Sequence, residues 1–452
     1  MRVPAEPAHL TDRDANDTSP LMLGDLPPLV HLPLPGRKGR ALLDSLARLE
    51  SPAFTARRAR REEKSGAAQD PIVWAEARGS NVLDADGNRY VDLTSGFGAA
   101  SVGHAHPKVV AAIQSQAPRL LHALGDLHPS TGKIGLLERI CALAPIENPR
   151  AVLSLTGSEA VETALKTAVL ATGRPGVLAF EGGYHGLSQG PLAACGYAAS
   201  FRQPFLEQLN PHVDFAPWPS EQASVEGALA DVAAHLNDDL GAVLVEPIQG
   251  RGGVRVPPPG FIAGLADLAH EHGALLIVDE IFTGFGRCGA MFLVDEYGVE
   301  ADLLCLGKSL GGGMPVSACV GRGKVMAAWG DPSGEAIHTG TFFGHPLGCA
   351  AALATLDVIA EEQLVARAER VGEAFATRLR QVPGVVSVRG RGLMLGLELQ
   401  RDVMVATRAL LEQGYLALPA GAAADVLQLV PPLNIDEALL EGFCQALTQV
   451  LA

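Results

Sequence analysis

The chain reads as an α/β protein whose large domain carries a mainly parallel sheet, with a smaller α+β domain beside it. Three observations predict this. Short apolar runs without polar alternation recur through the middle of the chain, among them Ala242-Val243-Leu244-Val245 and Ala274–Val278. Helical segments such as 260–272 lie between some of them. Strands apolar on both faces and separated by helices belong to a parallel sheet covered on both sides. The third observation is size: 452 residues, 48 % hydrophobic and 19 % charged, suffice for a large core.

Taken in order, residues 1–36 read as an irregular arm; they carry Pro, Asp and Thr without the apolar centre of a secretory signal. Residues 38–64 read as a helical, basic stretch, with Leu42, Leu43, Leu46 and Leu49 followed by Arg57, Arg58, Arg60 and Arg61. That cluster is expected to be a solvated face balanced by Glu62 and Glu63, or, less simply, a contact to an acidic patch on a partner subunit. Residues 72–93 suggest a small antiparallel unit turning at Asp86-Gly87-Asn88. From about 105 the alternation begins: a strand at 152–155, a helix from Ser158 to Thr172, then strands at 177–180, 242–245, 274–278 and 303–306. One long helix is expected over about 346–380, followed by strands near 385–388, 393–399 and 427–430. The expected division is an N-terminal extension over 1–70, a first part of the small domain over 71–104, a large domain over 105–340 and a C-terminal small domain over 341–452.

Composition narrows the function. A net charge of −15 argues against a nucleic-acid surface, and no apolar stretch reaches membrane-spanning length. Seven cysteines lie far apart with no Cys-x-x-Cys pair, which suits reduced thiols and a cytoplasmic protein. His104-Ala105-His106 and His270-Glu271-His272 each lack a third ligand, so no metal site is expected. Gly284-Phe285-Gly286-Arg287-Cys288-Gly289 matches a dinucleotide fingerprint, but Asp279–Thr283 separate it from its strand. Gly186-Leu187-Ser188-Gln189-Gly190 matches a hydrolase elbow, yet Pro191 and Gly196 argue against the continuous helix that motif needs.

The chemistry concentrates at strand ends. Asp279 closes the run 274–278, and Lys308 follows Asp302-Leu303-Leu304-Cys305-Leu306. A carboxylate and an amine so placed are what pyridoxal phosphate requires. The amine forms an imine with the aldehyde, and the acid keeps the pyridine nitrogen protonated so that the ring accepts electrons. Thr156-Gly157-Ser158 opens a helix after a strand, where unpaired N–H groups suit a phosphate. Glu181-Gly182-Gly183-Tyr184-His185-Gly186 and Glu246-Pro247-Ile248-Gln249-Gly250-Arg251 end two more strands, the position of ligands in doubly wound sheets.

Together these residues resemble the class III aminotransferases, the ornithine and 4-aminobutyrate aminotransferase family with the type I pyridoxal phosphate fold, over roughly residues 72–450. The resemblance implies Lys308 as the imine-forming lysine and Asp279 as the pyridine partner. It implies Gly157 and Ser158 at the phosphate, Tyr184 with His185 at the ring, Gln249 at the ring hydroxyl and Ile281 on the opposite face. Thr341 would be lent to the neighbouring subunit's phosphate, which implies a homodimer with shared active sites. Burial is expected to lower the Lys308 pKa.

One departure bears on substrate. The family's Arg-Leu-x-Pro-Pro-Leu grips an α-carboxylate through its Arg; here the run is Gln428-Leu429-Val430-Pro431-Pro432-Leu433. Gln lacks the forked cation, and the Glu246 that the Arg would pair with loses its counter-ion. Glu246 must then find a cation, take up a proton or stay wet; Arg251, Arg202, Arg255 or a substrate ammonium are the candidate cations, and Phe97 joins the candidates for substrate contact. The expected donor is an amine, a diamine or an ω-amino compound, with a 2-oxo acid as acceptor. An amino-acid racemase or epimerase using the same Lys and Asp is the alternative.

Overall fold

The computed structural model describes residues 23–330 and 336–452. Its strands, in chain order, are β1 (Trp74–Arg78), β2 (Asn81–Asp84), β3 (Arg89–Asp92), β4 (Arg150–Ser154), β5 (Gly176–Phe180), β6 (Val213–Ala216), β7 (Leu240–Val245) and β8 (Leu275–Asp279). There follow β9 (Leu303–Leu306), β10 (Ser317–Gly321), β11 (Val385–Arg391), β12 (Met394–Leu399), β13 (Tyr415–Leu416), β14 (Leu418–Ala420) and β15 (Val426–Leu429).

The central sheet runs β4-β10-β9-β8-β7-β5-β6. Neighbours from β9 to β6 are parallel, whereas β10 is antiparallel to both β9 and β4. Alternate residues feed two cores. Val243, Val245, Leu276 and Val278 join Phe261 and Leu265 of the helix Phe261–Glu271 on one face. Ala242, Leu244 and Ile277 join Ala160, Val161 and Ala164 of the helix Gly157–Thr172 on the other. Small side chains on that second helix let it lie close to the strands. A sheet buried on both faces needs apolar residues at every position, which is why β7 reads Leu-Gly-Ala-Val-Leu-Val without alternation.

Two smaller sheets flank it. β1-β2-β3-β13 joins the early hairpins to a late strand, with β13 parallel to β3, and β11-β12-β15-β14 is antiparallel throughout. Ser95 Oγ donates to the Val430 carbonyl at 2.6 Å, tying the two chain regions together.

Several expectations need correction. The helix expected over 346–380 is two, Pro346–Glu361 and Leu364–Arg380, broken where Gln363 takes a left-handed φ of 51°. Glu361, Glu362 and Gln363 all favour helix, so tertiary packing of the second helix overrides local preference. The stretch 38–64 also divides, into Arg37–Leu49 and Pro52–Ser65, because Ser51 precedes a proline that opens the second helix. The side chain of Arg57 lies outside the described residues, as do residues 1–22 of the expected arm. Residues 23–36 form no helix or strand, as expected of an irregular arm, yet they are held in place: Leu26 N–H donates to Asn81 Oδ1, and His31 and Leu32 N–H donate to Asn88 Oδ1, each at 3.0 Å. β6 and β10, short runs rich in small or polar residues, were not expected.

Candidate active site

Because β4, β5, β7, β8 and β9 point the same way, their carboxyl ends share one edge of the sheet. Lys308 follows β9 with φ 42°, a left-handed conformation that a side chain adopts only at a cost of about 1–3 kcal/mol. That strain turns its chain back toward the strand ends. Ser309 Oγ donates to the Gly98 carbonyl at 3.2 Å and fixes the turn. The Lys308 ammonium lies 3.9 Å from the Phe282 ring centroid, and no hydrogen bond or ion pair among the described residues engages it. Burial pulls its pKa down to about 8, against the opposing charges of Asp279 and Glu246.

Asp279 ends β8, buried, opposite Cys305 of β9. Its Oδ2 is 2.7 Å from His185 Nδ1, and its Oδ1 accepts from Ile281 N–H at 3.1 Å. Burial alone would push the His185 imidazole down, but the hydrogen bond and charge of Asp279, with Glu246 beyond, carry it above its ordinary value. The His185 imidazole therefore backs the Asp279 carboxylate through this hydrogen bond.

At the other end of the site, the helix Gly157–Thr172 begins with a capping box between Thr156 and Glu159. The box leaves the N–H groups of Gly157 and Ser158 without an acceptor among the described residues. A Cβ at Gly157 would stand 2.8 Å from Ile281 Cδ1, so that glycine and Ile281 close one side of a narrow slot. Ser158 Oγ is 2.5 Å from Ser188 Oγ and accepts from Ser188 N–H at 3.1 Å. Ser188 itself precedes a short helix, Gln189–Ala193, despite Pro191, but its hydroxyl is committed to Ser158. An amine free of partners, a buried anion at the far side and open N–H groups at a helix start fit pyridoxal phosphate.

The polar residues around this slot are arranged otherwise than expected. Glu246, 5 % exposed, has no arginine within ion-pair distance among the described residues; its oxygens accept from Tyr184 N–H at 2.9 Å and Gly250 N–H at 3.0 Å. Burial raises its pKa while His185 draws it partly back. Backbone donors, not a cation, answer its lost counter-ion among the described residues. Gln249 is also tied inward. Its Nε2 donates to the Glu181 carbonyl at 2.8 Å and its Oε1 accepts from Arg255 at 3.3 Å, so it braces the loop rather than standing open toward a ring hydroxyl. Gln428 Nε2 donates to the Gly250 carbonyl at 2.9 Å. Arg202 lies over Phe215 of β6 at 4.1 Å, so it joins none of these groups. Arg251 lies 4.4 Å from the Tyr184 ring centroid, covering one face of that ring. Phe97 is 67 % exposed in a loop whose residues 95–98 all have positive φ, and Gly98 packs on Phe282 and Lys308. Thr341 is exposed, with no hydrogen bond to the slot within this chain. Phe282 and Ser188 were missed; only their closeness in sequence to Asp279 and His185 hinted at them.

Residues 64–451 match the family model described as Aminotransferase class-III. The chain belongs to the class III aminotransferases. Among its relatives in this family is acetylornithine aminotransferase of Methanopyrus kandleri, 39 % identical over 84 % of this chain and 94 % of that protein. The 2-aminoadipate transaminase of Pseudomonas putida is 37 % identical over 84 % of this chain and 96 % of its own length. Ornithine aminotransferase from Toxoplasma gondii, whose structure has pyridoxal phosphate at partial occupancy, superposes with a TM-score of 0.77 at 31 % identity, covering 91 % of this chain and 97 % of its own. An (S)-enantioselective ω-transaminase from Thermomicrobium roseum gives 0.77 at 28 % identity, over 85 % of this chain and 94 % of that one. This class III aminotransferase is thus a pyridoxal phosphate enzyme with the α/β fold of its family. The relatives named here are all transaminases, and the isomerase alternative is dropped. Among the described residues no helix is long and apolar enough to cross a membrane.

Proposed function

We propose that the enzyme moves an amino group from an amine, a diamine or an ω-amino compound to a 2-oxo acid, in two half-reactions at one site. The observation that carries the donor class is Gln428. Buried and bonded to Gly250, it offers no cation where related enzymes grip an α-carboxylate, so a donor without that carboxylate loses nothing there. An ω-transaminase and an ornithine aminotransferase among the structural relatives support this reading.

Bound pyridoxal phosphate supplies an aldehyde for the amine and a ring that accepts electrons. We assign Lys308 as the residue that holds it covalently. Once free, the Lys308 amine would take the proton from the amine-bearing carbon and deliver it to the carbon that carried the cofactor's aldehyde, acting as base and then as acid. Asp279 keeps a proton on the ring nitrogen, and His185 fixes that carboxylate in place. Gly157 and Ser158 N–H would hold the phosphate, and Ile281 and Tyr184 would pack against the ring.

The working unit is a homodimer, with Thr341 serving the partner's phosphate site. Leu121, Leu124, Leu127, Ile337 and Phe342 are all exposed in one chain, and His122 lies against Phe342 at 5.3 Å between ring centroids, an apolar surface suited to burial by a second copy. Seven unpaired cysteines favour a cytoplasmic location.

Two measurements test the assignment. Borohydride reduction of the cofactor-loaded enzyme should leave a stable adduct that peptide mapping places on Lys308; an adduct elsewhere, or none, refutes it. A donor screen with pyruvate and 2-oxoglutarate should favour amines and ω-amino compounds. Faster turnover with alanine than with any of these would sink the donor class.

A further inference from the structure

Arg251 is placed like no other arginine near the slot. Its guanidinium carbon lies 4.4 Å from the Tyr184 ring centroid, 5.0 Å from that of Tyr197 and 5.8 Å from that of Phe201. Tyr197 and Phe201 are themselves in contact at 5.6 Å, and Tyr184 meets Tyr197 edge-on at 6.0 Å, so the rings form one continuous wall. The Tyr197 hydroxyl donates to the Gly421 carbonyl at 2.9 Å, and Gly421 N–H donates to the Arg251 carbonyl at 2.9 Å. Backbone and rings therefore fix the cation from two sides. Yet no carboxylate or carbonyl among the described residues accepts from its five N–H groups, and the side chain is only half-buried. A cation stacked on aromatic faces keeps its N–H edge free for a planar anion.

Its position is next to the chemistry. Gly250, one residue earlier, packs on Phe282, whose ring touches the Lys308 ammonium. The charge of Arg251 acts on Lys308, lowering its pKa alongside burial. The other candidates are engaged elsewhere: Arg255 with Gln249 and the Trp218 carbonyl, Arg202 with Phe215.

The geometry points to Arg251 as the carboxylate receptor for the 2-oxo acid acceptor, taking over the work that position 428 has given up. This rests on the two-substrate reading above. A site that admits a cationic donor in one half-reaction and an anionic acceptor in the other needs its anion receptor set to one side. The Tyr184–Tyr197–Phe201 wall supplies that, presenting ring surface to an uncharged donor tail and a guanidinium edge to the acceptor. The amino acid formed from the acceptor leaves from the same contact.

The test separates the half-reactions in the holoenzyme. Conversion of the cofactor by a diamine without acceptor is followed by absorbance, and regeneration by pyruvate is followed separately. In Arg251→Gln the apparent affinity for pyruvate should fall by about 30-fold or more. The amine half-reaction should fall by several-fold less. Arg251→Lys should recover part of the loss, since a point charge replaces a fork. Equal losses in both half-reactions would mark a merely structural residue, and an unchanged pyruvate dependence would remove Arg251 from the acceptor site; either result overturns the inference. A wild-type enzyme indifferent to every amine but active with α-amino acids would instead sink the donor reading, leaving the pyruvate comparison measurable.

Discussion

The slot between Gly157 and Ile281 sets a quantitative test. In Gly157→Ala the new Cβ would stand 2.8 Å from Ile281 Cδ1 and 3.0 Å from Ile281 Cγ2. Carbon atoms settle about 3.5–4.0 Å apart, so Ile281 has to withdraw by roughly 0.7 Å or more. The backbone itself gains, because Gly157 lies outside the left-handed region and alanine is up to about 1 kcal/mol better than glycine in a helix. The fold should therefore survive, and the strain should appear where Ile281 is pushed, in the space assigned to the cofactor ring. Overpacking of this size costs about 1–3 kcal/mol. At about 1.4 kcal/mol per decade, the dissociation constant for pyridoxal phosphate should rise roughly 5- to 150-fold. Titration of the apoenzyme by absorbance gives that constant, and thermal melts of the apoenzyme should match wild type or exceed it. Affinity within twofold of wild type, with an intact fold, would refute the slot as the ring's seat.

Three further outcomes follow from the same geometry. Asp279→Asn removes the anion behind the ring nitrogen, so kcat should fall about 10²- to 10³-fold. With burial then opposed by the charge of Glu246 alone, His185 should also titrate lower by NMR; a midpoint that stays put would contradict the pairing. The Lys308 pKa of about 8 means that the uncharged amine accumulates through that pH, so the rate at which apoenzyme takes up cofactor should climb to about pH 8 and then flatten. A rate still climbing beyond pH 10 would mean an ordinary lysine. If Thr341 serves the partner's site, hybrids of Lys308→Ala and Thr341→Ala chains carry one intact site and one doubly defective site. Random mixing of the two variants makes about half of the dimers hybrids, so tight cofactor binding should return to about a quarter of all sites, and no restoration would mean that each chain closes its own.

Much of the sheet was legible because burial on both faces forces continuous apolar runs: β7 and β8 could be read directly. β10 was hidden, since Ser-Ala-Cys-Val-Gly has too little apolar mass to stand out, although its residues are buried. The break at Gln363 left no local trace because its neighbours all favour helix. At the site, Lys308 and Asp279 were legible from their places after strands. The partners of Glu246 and Gln249 were not, since backbone N–H and carbonyl groups carry no sequence signature. Side-chain charges alone offer Glu246 a cation, a proton or water, where the chain supplies two peptide dipoles.

The segment running over residues 24–32 lies before residue 64, the border where the match to the family model begins. Asn81 and Asn88, fully enclosed, spend their amides on Leu26, His31 and Leu32. A protein trimmed to that border would expose both asparagines and unlatch the hairpins β1–β3, on which β13 also leans. Anyone shortening this polypeptide for crystals or fusions should keep its start at or before Leu23, because part of the small sheet is clasped by residues that the family model leaves out.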